Sequence, residues 1–369
     1  MFSIRAPALL LSVLLLLPFL LQAATNDPVP TEGDFIFRNV QFRSGETLPE
    51  VRMHYITFGE PRRDANGLVR NAILILHGTT GSSAQFLRPE FANELYGKGQ
   101  PFDVSKYYLV ILDNIGHGKS SKPSDGLRGK FPRYGYRDMV ELQYRLLTEG
   151  LNVNHLRLAF GTSMGGMHTW LWGQTYPDFM DALMPMASLP TQISGRNRAW
   201  RRVIIDSIRL APDWNGGNYE QQPHGLRIYA EMSWFMGLNP ILRQREAPTL
   251  AQVDEALERA VAARLTTADA NDILYAFEAS HDYDPGPGLE KIKAPLLAIN
   301  SADDLINPPE LRILEEEIKR VKNGRAIVLP LSEETAGHGS HTKAVLWKKE
   351  LVRFLKKTER KRIPTERKY

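Results

Sequence analysis

Residues 161–165 read Gly-Thr-Ser-Met-Gly and lie between an apolar run, 156–160, and an apolar stretch of helical character that begins near Met164. Glycines on both sides of one hydroxyl, at a strand-to-helix junction, specify a tight strained turn that lifts the serine above the end of the strand. Such a turn needs a sheet of parallel strands around it. The runs 72–76, 108–112 and 156–160 are short, nearly unbroken in apolar residues and closed by loops, three of them carrying glycine, as strands buried on both faces must be. Before them, 35–42 and 51–58 mix β-branched and aromatic residues around Ser44-Gly45-Glu46, which predicts a hairpin.

Strands then alternate with helices: a helix over 136–150, the strand 156–160, a helix after Ser163 and a strand near 182–186. From about 189 to 287 the pattern breaks into helical periods at 198–210, 227–235, 250–265 and 268–280, with proline and glycine at the joins. The alternation resumes with a strand at 296–300, a helix at 309–321, a strand at 326–331 and a closing helix at 343–356. The expected class is α/β, a mostly parallel central sheet with a helical cap insertion. Its core would come in two parts, 25–188 and 288–357, with the cap at 189–287 and a basic tail at 358–369.

The ends and the composition restrict function further. Arg5 precedes an apolar run at 6–21 that contains Pro18 and ends in Gln22-Ala23-Ala24. At 16 residues the run is short of the roughly 20 that a spanning helix needs. It reads as a signal peptide over 1–24, so an exported, periplasmic or secreted, protein is expected. The chain has no cysteine, which removes disulfides, thiolate metal sites and a cysteine nucleophile. Net charge is +4, yet residues 348–369 carry +7 and the rest is acidic. That tail offers weak contact with an anionic membrane surface, or is a solvated terminus. No basic patch interleaved with aromatics suggests nucleic acid, and no metal or nucleotide motif is present, so no cofactor is expected.

A serine hydroxyl reacts only when a base takes its proton, so a histidine must reach Ser163 from farther along the chain. Of nine histidines, His338 and His341 follow the last strand; His338, between Gly337 and Gly339, has the freer backbone and is preferred. The acid should follow the strand 296–300, where Asp303 and Asp304 are adjacent. Asp304 is preferred because Leu305-Ile306 and a proline turn follow it, leaving Asp303 to cap a turn or face solvent. The oxyanion of an acyl-transfer intermediate needs donors: the amide of Met164, and one from the loop after 72–76, with Thr79 ahead of Thr80. His77 is expected to brace that loop, and His117, among glycines, to serve loop structure. Trp200, Arg201, Arg227, Tyr229 and Trp234 in the helical insertion are candidates for shaping a substrate pocket.

These residues resemble the α/β-hydrolase fold and, within it, the homoserine O-acetyltransferase family. The likeness lies in Tyr136-Arg137-Asp138-Met139-Val140 with Gln143, Ser163-Met164-Gly165-Gly166-Met167, Tyr176-Pro177-Asp178, Asp304 before Pro308-Pro309, and Gly337-His338, and extends loosely over 36–357. It implies a serine nucleophile that takes an acetyl group from acetyl-CoA and passes it to a hydroxyl. Two positions depart from the family: the loop after Leu112 reads Asp-Asn-Ile-Gly-His-Gly-Lys-Ser, and Gly339 stands where an acidic residue is expected. Because acetyl-CoA is cytoplasmic and the chain reads as exported, the expectation is a serine hydrolase cleaving a small acyl ester. The alternatives are a homoserine O-acetyltransferase-like acyltransferase and a non-catalytic binding protein.

Overall fold

Alternation along the buried strands decides how the layers stack. In the computed structural model, which describes residues 29–237 and 239–359, eight strands form one sheet. They are β1 (Thr31–Gln41), β2 (Thr47–Phe58), β3 (Ala72–Leu76), β4 (Tyr108–Leu112), β5 (Leu158–Thr162), β6 (Leu183–Met186), β7 (Leu296–Ser301) and β8 (Gly324–Leu329). Their order is β1-β2-β4-β3-β5-β6-β7-β8. β2 is antiparallel to β1 and β4, and every other pair is parallel. The leader at 1–24 and most of the tail at 358–369 lie outside the described residues.

The helices are α1 (Pro89–Leu95), α2 (Tyr136–Arg145), α3 (Met164–Thr175), α4 (Gly195–Arg209), α5 (Leu226–Met236), α6 (Pro240–Glu246), α7 (Leu250–Leu265), α8 (Ala270–Glu278), α9 (Ile313–Glu317) and α10 (Lys348–Lys357). Ile73, Ile75, Leu109, Ile111 and Phe160 point to one face of the sheet, where Phe91 of α1 and Leu351 of α10 cover them. Leu74, Leu76, Val110 and Leu112 point to the other, against Met139 of α2 and Met167 and Trp170 of α3. Both faces are thus dry, as a parallel sheet requires, and each such side chain contributes about 1.5–3 kcal/mol of burial.

Between β6 and β7 the chain makes α4 to α8, whose Trp200, Ile204, Tyr229, Leu274 and Phe277 form a separate apolar cluster. Ile306, from the loop after β7, belongs to the same cluster and ties these helices to the sheet's carboxyl edge. The expected sheet and its order of elements are present, with local differences. β5 starts two residues later than the apolar run suggests, and α1 and α6 were not expected. The helix expected over 309–321 is broken, because Arg312 sits in the left-handed region at φ 54° and separates a single 3-10 turn from α9.

Candidate active site

Ser163 lies between the last residue of β5 and the first of α3, with φ 56° and ψ −114°. A non-glycine residue held there stores about 1–3 kcal/mol of strain, so its surroundings must enforce it. They do so by contact and by hydrogen bonds. A Cβ at Gly161 would lie 2.0 Å from the Gly165 carbonyl oxygen, and one at Gly165 would lie 2.0 Å from that of Leu76. The Ser163 amide donates to Met186 of β6 at 2.9 Å, and its carbonyl accepts from Met167 in α3 at 2.9 Å.

The His338 ring spans two partners, with Nε2 2.9 Å from Ser163 Oγ and Nδ1 2.8 Å from Asp304 Oδ2. An Nδ1–H donated to the carboxylate leaves Nε2 free to accept the serine proton. Asp304 is fully buried, and burial alone would raise its pKa. The neighbouring His338, and the Asn307 side chain and amide donating to it, outweigh that and hold the carboxyl below its usual range. It is therefore an anion fixed in direction.

Asp303 neither faces solvent nor reaches the histidine ring. It is buried and accepts from Ser301 Oγ, from the Gly337 amide at 2.8 Å and from Asn239 Nδ2 at 2.6 Å. Its place is to clamp the histidine loop, the acid loop and the start of α6 together. Gly337, at φ 58°, provides the turn that this clamp needs. His341 packs against His338 edge-to-face at 5.1 Å; desolvation and the adjacent His338 push its pKa down to about 3, so it is neutral near pH 7.

The loop after β3 approaches the serine closely enough that a Cβ on Gly78 would be 3.4 Å from Ser163 Cβ. Thr79 is buried and Thr80 exposed, and both line the same cavity as Ser163. His117 Nε2 is 2.7 Å from the Thr79 carbonyl, and His77 Nδ1 is 2.8 Å from that of Gly78, so both histidines hold this loop. Burial lowers the pKa of each; for His77, burial and then the neighbouring His117 take it to about 4. Behind the loop, Asn114 donates to His77 Nε2, Gln143 donates to Asn114 Oδ1 at 2.6 Å, and Gln143 accepts from Trp172 at 2.7 Å. That network and the roles of Asp303 and Asn239 are not legible in the sequence, where Gln143 stands out only as one residue of the inward side of the 136–150 helix and as part of the family likeness.

The serine and His338 open into a cavity of about 720 Å³ whose opposite wall is Trp200, Arg201, Met236 and Phe277. Of the other candidates for shaping it, Arg227 pairs with Glu231 and Glu258, Trp234 lies under Arg243, and Tyr229 packs on Phe277. Among the described residues no group of three or more histidine and carboxylate side chains could hold a metal ion.

A family model described as the alpha/beta hydrolase fold matches residues 71–342, and the chain belongs to that family. Within it, the chain is 30% identical to a homoserine O-acetyltransferase of Carboxydothermus hydrogenoformans, over 78% of this chain and 85% of that protein. Its fold is similar to that of a homoserine O-acetyltransferase from Bacillus anthracis, with a TM-score of 0.77, 23% identity, and 89% and 98% of the two chains covered. It is also similar to an acetylester hydrolase from Corynebacterium glutamicum, with a TM-score of 0.75, 20% identity, and 88% and 96% covered. The chain is thus an acyl-transferring or hydrolytic enzyme that resembles homoserine O-acetyltransferases.

Proposed function

We propose that the protein transfers a small acyl group, acetyl in the first instance, through Ser163 to the hydroxyl of a small acceptor. The observation that carries this is the hydrogen-bonded series Ser163–His338–Asp304 opening into a cavity with room for an acyl group and a second substrate. The identity to homoserine O-acetyltransferases favours transfer over the simple hydrolysis expected from the sequence.

In this reading Ser163 Oγ attacks the acyl carbonyl carbon as its proton passes to His338 Nε2, and the resulting oxyanion takes hydrogen bonds from the amides of Met164 and Thr79. The imidazolium, steadied by Asp304, protonates the leaving group as the tetrahedral intermediate collapses to an acyl-enzyme. The acceptor hydroxyl then gives its proton to Nε2 and attacks the ester, and Ser163 departs with that proton. Asp304 stays ionised throughout.

Hydrolysis is the second reading, favoured by the leader-like residues 1–24 and by Gly339 in place of an acidic residue. An exported enzyme meets water more often than it meets coenzyme A. The test is to supply acetyl-CoA or a chromogenic acetyl ester with and without L-homoserine, with Ser163→Ala as control, and to identify the product by mass. Acetyl-homoserine formed by the wild type alone supports transfer, and acetate unaffected by the amino acid supports hydrolysis. Turnover equal to that of Ser163→Ala refutes both.

A further inference from the structure

We propose that a hollow at the seam between the sheet core and the helical insertion is a second binding site, for a small soluble ligand of the diphosphate class. It is separate from the cavity of Ser163, with which it shares no lining residue. The periodicity of α4 sets the two apart. Trp200 and Arg201 line the serine's cavity, whereas Arg198, Arg202, Ile205 and Arg209, spaced four, three and four apart, form one stripe along the second hollow. The core supplies the facing wall, with Arg43 and Ser44 from the turn between β1 and β2, Arg133 from the loop before α2 and Arg137 within it. The hollow measures about 470 Å³, and a neighbouring one of about 450 Å³ shares Arg133 and Glu278 with it and adds Lys130.

Six arginines against three carboxylates is an excess in a chain whose first 347 residues are net acidic. The three carboxylates are already used. Asp138 accepts from the Gly135 and Arg43 amides, Asp282 from the Tyr136 and Arg137 amides, and Glu278 pairs with Arg209. Burial pushes the Glu278 carboxyl up although Arg209, Arg133, His281 and Arg198 all pull it down, so several cations already crowd this one anion. Arg202 is committed to Asp206 as Arg209 is to Glu278, and the unspent charge belongs to the other four arginines. Arg43 reaches Asp138 and Glu141 only at 3.9 and 3.5 Å, and Arg137 donates to the Asp284 carbonyl. The side chains of Arg133 and Arg198 make no hydrogen bond or ion pair among the described residues. Two unpaired forks on facing walls call for an anion with oxygens at both ends. A carboxylate fills one planar fork, whereas a diphosphate presents terminal oxygens on both phosphorus atoms and fills two. Bound there, it ties the core to the insertion.

The test is calorimetry on the full chain with inorganic pyrophosphate and, at equal ionic strength, with sulfate. One pyrophosphate per chain should bind at least about tenfold more tightly than sulfate and should raise the melting temperature. Arg133→Gln and Arg198→Gln should each weaken it about tenfold and together about 100-fold, with Arg198→Lys weakening it less. Arg259→Ala, which removes a paired cation of α7 outside the hollow, should leave it unchanged. No binding, equal binding of the two anions, or pyrophosphate binding that survives both glutamine substitutions overturns the proposal. The last result would move the anion elsewhere, for example to Arg88, Lys122 and Arg264 of the serine's cavity. A second arm offers vesicles of phosphatidylcholine with phosphatidic acid. Sedimentation with them that needs Arg133 and Arg198, in a protein indifferent to pyrophosphate, would assign the hollow to a lipid phosphate and overturn a soluble ligand. Should Arg198→Gln fail to fold, Arg133→Gln, at an exposed loop position, decides the matter alone. Binding is read without turnover, so this proposal and the acyl-transfer reading stand or fall separately.

Discussion

At Ser163 the backbone is bent into a conformation that only its neighbours can impose, and the sequence announced this through the glycines on either side. Ser163→Ala should leave the melting temperature within a degree or two and reduce acyl transfer by about 10³- to 10⁶-fold. The two aspartates make a sharper test. Asp304 touches the histidine and Asp303 touches only the loop that carries it, so Asp304→Asn should lower kcat by about 10⁴ with little change in stability. Asp303→Asn should instead cost about 1–3 kcal/mol of stability, with a smaller loss of kcat. Equal kinetic losses for the two would contradict this division. Adjacent aspartates in one loop were legible as a pair, but which one turns inward depends on contacts from Asn239 and Gly337, some 60 and 30 residues away, and no local pattern encodes that. The glycine before Thr79 was equally silent. Gly78→Ala puts a methyl 3.4 Å from Ser163 Cβ, and kcat should fall about tenfold or more while the protein still folds.

Among the elements, strands buried on both faces were read to the residue at β3 and β4, because a five-residue apolar run has no other comfortable place. Helices were read less well where a dihedral rather than a pattern ended them, as at Arg312. α6 was overlooked although its start carries two ordinary signals, Asn239 accepting from the Ile241 and Leu242 amides and a proline at the first helical position. α3 deserves a separate prediction because it and the loops facing it bury several histidines. His168 is wholly buried and its pKa lies well below the usual value, through burial first and then His77 and His117. A base kept neutral by the fold contributes stability that is fully present above its unfolded pKa near 6.5 and is lost as the pH falls toward its lower folded value. Replacing His168 by Gln should therefore flatten the decline of stability between pH 6.5 and 5 by up to about 1.4 kcal/mol per pH unit. Denaturant melts at pH 7.5, 6.0 and 5.0 would reveal it. Parallel curves for the variant and the wild type would mean that His168 titrates normally.

For the molecule as a whole, the question is how a helical segment threaded between β6 and β7 keeps a cavity wall in register with Ser163, His338 and Asp304 at the ends of the strands. Several links cross that boundary, among them the Ser124 side chain donating to Asp272 and the Tyr275 hydroxyl donating to the Phe131 carbonyl, and three more bear on the site. Asp282 accepts from the first two amides of α2, Ile306 sits in the apolar cluster of α4 to α8, and Asn239 ties α6 to the acid and histidine loops. The Asn239 link is the tightest of the three, since its Nδ2 donates to Asp303 Oδ2 at 2.6 Å and to the Thr335 carbonyl at 3.0 Å while its Oδ1 caps α6. Asn239→Ala removes all of these at once and leaves a buried carboxylate short of a donor, which should cost about 2–3 kcal/mol. Because the same carboxylate holds Gly337, next to His338, kcat should fall with stability, by about tenfold. Arg202→Ala offers the contrast: it removes an exposed pair with Asp206 on α4, worth little, and both quantities should stay within twofold or a degree. Melting curves and acyl transfer measured on the two variants distinguish a helical layer that positions the chemistry from one that merely covers it. If Asn239→Ala lost stability yet kept full kcat, the clamp through Asp303 would serve the fold alone.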